Sequence, residues 1–110
     1  MLDLPSIVKI GGHEYKLLVP YAFKERSDLN GQCDNNYLEL RISTSEFNGD
    51  RADSTVKVTI LHELIHAVDF TSGLNVLCGG SDERERIVEM LSHGLYQVFK
   101  DNPKLLGLFE

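Results

Sequence analysis

Two histidines four residues apart, with a glutamate directly after the first, form the most chemically specific pattern in this sequence: His62-Glu63-Leu64-Ile65-His66. On an α-helix, residues i and i+4 lie on one face, so both imidazoles can approach one cation. Glu63 then falls beside a metal-bound water rather than in the ligand set. Zinc suits such a site, since it takes imidazole and carboxylate, has no redox chemistry and keeps a position open for water. Bound zinc lowers the pKa of that water toward ~7. Glu63 could take the proton as general base and pass it to a leaving amine. Shuffling a chain of this composition would produce the pattern in about one case in a hundred. The spacing therefore implies one zinc ion per chain, held in part by His62 and His66.

Two histidines alone make a poor zinc site, and a third protein ligand is expected from the second half of the chain. Glu85, Glu89 and His93 recur at four-residue spacing and share one helix face. Helix-angle arithmetic slightly favours Glu85, which lies nearer the apolar margin; taken alone, the whole face could simply be solvated. Asp69 lies on the same helix face as the histidines. It either accepts a hydrogen bond from a ligand imidazole or is a surface aspartate near a helix end. His93 and Tyr96 are candidates to stabilise an oxyanion, against solvation for the first and packing for the second. His13 reads as structural, beside a turn. Cys33 and Cys78 lack metal-type spacing and read as free thiols, although Cys33 precedes a strand that could approach the site.

The elements that must hold these residues follow from periodicity. Ile7 to Ile10, Gly11-Gly12 and Tyr15 to Val19 read as a β-hairpin, with the glycines supplying positive φ at the turn. Pro20 ends its second strand. Ser27 to Asn36 is polar and turn-rich. Tyr37 to Ser43 alternates strictly and places Leu38, Leu40 and Ile42 on one face, as a half-buried strand requires. After the Asn48-Gly49-Asp50 loop, Asp53 or Ser54 can cap a helix reaching about Phe70, with Val58, Leu61, Ile65 and Val68 as its core stripe. Gly73 stops it, and Gly79-Gly80 closes the connection. Ser81 is a plausible N-cap for a second helix to about Asp101, with Ile87, Val88, Leu91, Leu95 and Val98 as its apolar face. Strands first and helices after give an α+β fold, with the helices on one face of a small antiparallel or mixed sheet.

Composition sets the bounds. The chain has 110 residues, 42% hydrophobic and 25% charged, which suits one globular domain spanning residues 1–110. A formal net charge of −6 argues against non-specific binding to nucleic acid or anionic membranes, which takes a basic surface. No apolar run is long enough to cross a bilayer, and Met1 to Pro5 does not read as a signal peptide, so a cytoplasmic location is expected.

Several segments together resemble the small phage and prophage zinc metallopeptidases related to the ImmA/IrrE group. They are His62 to Asp69, the Gly-rich spacer, Ile87-Val88-Glu89-Met90-Leu91 and Gly94-Leu95-Tyr96-Gln97-Val98. Upstream, Ile10-Gly11-Gly12-His13 and Gly31-Gln32-Cys33-Asp34 add to the likeness, which thus covers most of the chain. The resemblance implies a zincin-like fold and hydrolysis of a peptide bond in a protein or peptide substrate, such as a phage or host regulator. It also implies Glu89 as the third metal ligand, and an extended substrate laid along the strand Tyr37 to Ser43. The rival expectation is a metal-stabilised regulatory module that grips a partner without cutting it; an intact Glu63 favours the enzyme. A closed structural zinc site is disfavoured, because it needs four ligands and three are visible.

Overall fold

The Gly11-Gly12 pair reverses the chain with φ of +56° and +83°, and joins β1 (Ile7–Ile10) to β2 (His13–Leu18) as an antiparallel hairpin. The computed structural model describes residues 3–24, 28–46, 49–73, 76–77 and 82–110. Cys78, Gly79, Gly80, the Ser81 cap, Asn48 and Ser27 lie outside the described residues. Among the described residues, no helix is long and apolar enough to cross a membrane.

Two further strands complete a mixed four-stranded sheet of order β1-β2-β4-β3. β3 (Gly31–Asp34) and β4 (Glu39–Ile42) are antiparallel, and β4 runs parallel to β2. β3 falls within the stretch read from sequence as turns alone. Its four residues, Gly31-Gln32-Cys33-Asp34, include no large apolar side chain for periodicity to find. The expected strand from Tyr37 starts two residues late, because Leu38 sits at φ +56° in the turn between β3 and β4. Asp34 builds that turn by accepting the backbone N–H groups of Asn36 and Tyr37, each at 3.0 Å. The Tyr37 amide is the main influence holding the Asp34 carboxyl below its usual range, with Asn36 and Arg41 adding to it against partial burial. β4 is an interior strand, so the resemblance-based assignment of Tyr37 to Ser43 as the strand that receives substrate is corrected. The sheet edge beside α1 is β3.

A small hairpin of β5 (Ser45–Glu46) and β6 (Gly49–Asp50) leads into α1 (Asp53–Thr71). Its N-cap is Ala52, without a side-chain cap bond, so Asp53 begins the helix instead of capping it. α2 (Asp82–Asp101) follows, and a 3₁₀ helix (Pro103–Phe109) closes the chain. The layers are stacked: α1 packs on the sheet, and α2 packs on α1 and the 3₁₀ helix. The expectation that both helices lie on the sheet holds for α1 alone.

The core joins Ile10, Tyr15, Leu17, Leu40 and Ile42 of the sheet to Val56 and Ala67 of α1. α1 is thus rotated relative to the stripe read from sequence. Val58 of that stripe is buried, whereas Val68 is 50% exposed. A helix apolar nearly all round gives periodicity little to choose between, and packing on two sides decides. α2 likewise buries Val88 and Ser92 and leaves Ile87, Leu95 and Val98 more than a third exposed.

Two glycine substitutions should move stability in opposite directions. A Cβ on Gly11 would stand 2.4 Å from Cβ of Thr71 at the end of α1, at a left-handed backbone position. Gly11→Ala should cost about 2 kcal/mol or more, from overpacking and from φ together. A Cβ on Gly94 of α2 meets nothing within 4 Å. Gly94→Ala should stabilise by about 0.4–1 kcal/mol. Denaturant midpoints of both variants against the wild type provide the check.

Candidate metal centre

The rotation of α1 turns His62 and His66 toward α2 and Glu63 toward the sheet edge. One ligand atom from each of His62, Glu63 and His66 lies within 4.8 Å of the others, so this group could hold a metal ion. The two imidazole rings are 5.0 Å apart, and each histidine side chain is only 12% exposed. From the facing helix, Glu85 spans both rings. Its Oε2 is 3.0 Å from Nε2 of His62 and its Oε1 is 2.9 Å from Nε2 of His66. Glu89 sits on the other side of His62, with Oε1 2.5 Å from Nδ1, and its Oε2 lies 3.3 Å from Nε2 of His93. The two glutamates therefore take different nitrogens of one ring. The Nε2 atoms, which both histidines turn to one carboxylate, belong to Glu85, whereas the resemblance points to Glu89.

Burial dominates the titration of the group. It pushes the Glu63 carboxyl up to about 7, aided by the negative charges of Glu85 and Glu89 and opposed by His62 and a hydrogen bond from the Cys33 backbone N–H. Burial also pushes His66 down, against Glu85, which favours its charged form. A neutral imidazole is the form a metal ion needs.

The edge strand explains the Cys33 bond. Ser43 N–H donates to the Asn30 carbonyl at 2.9 Å, and Gly31, Gln32 and Cys33 lie opposite Ile42, Arg41 and Leu40. In an antiparallel ladder, hydrogen-bonded and non-bonded pairs alternate, so the backbone groups of Gly31 and Cys33 point away from β4. The Cys33 amide is spent on Glu63, and the polar groups of Gly31 face the opening. Two clefts, of about 590 Å³ and 450 Å³, share Gly31, His62, Glu63 and Glu85 in their walls. The larger runs between the N-terminal half of α1 and the face of α2 from Glu85 to Tyr96; the smaller runs along β3 past Cys33.

The remaining candidates divide. Asp69 is buried, and its carboxylate accepts the backbone N–H groups of Val76 and Leu77 at 2.8 and 3.1 Å, anchoring the chain after α1. It is also near enough to His66 to favour that ring's charged form. Tyr96 is half-buried in the cleft wall, with Lys100 Nζ 5.8 Å from its ring centroid. His93 is exposed and close to Glu89, while His13 stays exposed at the β-hairpin, away from the group. Cys33 is a free thiol that donates to Asn35 Oδ1, which also accepts the hydroxyl of the fully buried Tyr15.

Sequence reasoning missed Arg51. Its Nη1 donates to the Ser43 carbonyl and its Nη2 to Thr59 Oγ1 at 2.6 Å, which ties the end of β4 to α1. The only signal for it was a lone cation just before an apolar helix. The chain matches no protein-family model, no curated protein and no solved structure.

The buried carboxyl gives the metal-free protein a definite pH response. The folded chain keeps the Glu63 proton up to about pH 7, whereas the unfolded chain releases it near 4.5. In that window the unfolded state binds fewer protons, so stability falls as pH rises. At about 1.4 kcal/mol per pKa unit, the loss is on the order of 3 kcal/mol. Denaturation of metal-free wild type and Glu63→Gln across this range should show the slope flattened in the variant. Parallel curves would place the titration elsewhere.

Proposed function

We propose that this chain is a zinc-dependent peptidase of zincin type, with His62, His66 and Glu85 holding the ion and Glu63 as general base. The observation that carries the reading is the convergence of both Nε2 atoms on one carboxylate, beside a buried glutamate and at the meeting of two clefts. Two imidazoles and a carboxylate are the donor set of a catalytic zinc site with an open position, so the residues fit the ion. Glu89 then takes the role of a carboxylate that holds Nδ1–H of a ligand imidazole, which fixes its tautomer and orientation. The resemblance to ImmA/IrrE-related peptidases is consistent with the same chemistry, while assigning the third ligand to Glu89.

When bound, zinc supplies a Lewis acid that makes water a nucleophile near neutral pH. Glu63, steadied by the Cys33 amide, takes the proton from the attacking water and returns it to the leaving nitrogen. The outward N–H and C=O of Gly31 offer an extended peptide a place to add to the sheet edge. A cleft on either side of Glu63 gives the chain a course through the site. His93 and Tyr96, both in the wall of the larger cleft, are the side chains on α2 that could donate to an oxyanion. A protein substrate, such as a phage or host regulator, fits an open groove better than a closed small-molecule pocket.

The two glutamates separate experimentally. Zinc titration should find about one ion per chain, lost in His62→Ala and in His66→Ala. Glu85→Ala should lower zinc affinity more than Glu89→Ala, whose loss should be on the order of 10–100-fold, as for partners of ligand histidines. The reverse order would return the third ligand to Glu89.

Glu63→Gln separates a peptidase from a binding module. It should keep zinc and substrate while cleavage falls by ~10²–10⁴-fold. Expressed in cells, it should trap the intact substrate that the wild type cuts. Full biological activity of Glu63→Gln, with no zinc-dependent cleavage by the wild type, would make the chain a binding module.

A further inference from the structure

We infer that Gly31 and the Cys33 amide of β3 are positioning elements for Glu63, and that residue 31 must lack a side chain for the carboxylate to reach its place. Two observations meet here. The Cys33 N–H donates to the Glu63 carboxylate from the open edge of the sheet. Two residues earlier, a Cβ on Gly31 would stand 2.7 Å from Glu63 Oε2, 3.1 Å from its Cγ and 2.7 Å from Thr59 Cγ2. The strand thus grips the glutamate with one residue and makes room for it with another on the same side.

What surrounds the contact decides which group would give way. β3 is held by its pairing with β4 and by the Ser43–Asn30 hydrogen bond. α1 is held by the buried Val56 and Ala67. Thr59 is fixed through its hydroxyl, which accepts from Arg51 at 2.6 Å and donates to the Thr55 carbonyl at 3.0 Å. The end of the Glu63 side chain is the least restrained of these parts. Ordinary contact begins at 3.4 Å, so an added methyl would displace the carboxylate by most of an ångström from the place where the Cys33 amide meets it. Misplacing a reacting group by about 1 Å can cost ~10²-fold in rate. The effect on chemistry rests on the peptidase reading; the effect on Glu63 does not.

The test uses the full chain loaded with one equivalent of zinc, and follows the Cys33 amide by NMR. A hydrogen bond to a carboxylate is short and charge-assisted, so this amide should resonate downfield and exchange slowly. Glu63→Ala and Gly31→Ala should each abolish that signature while zinc content stays at wild-type level. Should Gly31→Ala fold poorly, Gly31→Ala/Thr59→Ser removes the Thr59 Cγ2 contact, keeps the hydroxyl and should lose the signature as well. In a double-mutant cycle, Gly31→Ala should lower the denaturation midpoint less in a Glu63→Ala background, where the Glu63 contacts are gone and only that with Thr59 Cγ2 remains. A Cys33 amide unchanged in a folded, zinc-bound Gly31→Ala variant would overturn the inference, as would cleavage at the wild-type rate. Absence of cleavage by the wild type, with the amide pattern as described, would remove the peptidase reading and support the positioning role alone.

Discussion

Glu63 puts a carboxylate where a helix packed on a sheet would ordinarily bury an apolar side chain. Its desolvation works against ionisation, and the group is accommodated because three other features meet it. A β-strand edge supplies an outward N–H, a glycine leaves space, and an imidazole lies alongside. With Glu63 committed to the sheet edge, helical geometry leaves His62 and His66 no choice but to face α2. That orientation sets them against Glu85 and Glu89 of α2, while Ile87, Leu95 and Val98 of its apolar stripe stay more than a third exposed.

A layered order of sheet, α1 and α2 results. The sheet and the inner side of α1 form the core, and the histidines of the group that could hold a metal ion occupy the seam between the two helices. α2 gains little burial from its own apolar residues, so the contact between helices is carried by a mixture of packing and charge. Ion pairs between partly exposed groups are worth little on their own. A bound cation would join the helices much more firmly, because its binding free energy is also stability of the folded state.

Much of this was legible in the sequence. The Gly-Gly hairpin, the alternating Leu40 and Ile42, both helices and the HExxH pattern each rest on local rules that tertiary structure did not override. What escaped depends on distance in the chain. β3 has the composition of a loop, and its strand character comes from pairing with β4 and from α1 beside it. The face of α1 could not be read because nearly every face is apolar. The choice between Glu85 and Glu89 is a matter of which ring nitrogen each meets, and a four-residue spacing is the same for both. Arg51 and Gly31 take their meaning from partners that no periodicity reveals.

The proposed function requires a single ion shared by the two helices. Crystals of the zinc-loaded chain, with anomalous scattering at the zinc edge, test this directly. One anomalous peak is expected per chain, with Nε2 of His62 and of His66 and a Glu85 oxygen each at ~2.0–2.2 Å, Glu89 remaining on Nδ1 of His62. A zinc ion bound elsewhere, or a peak that leaves either histidine out, would contradict it.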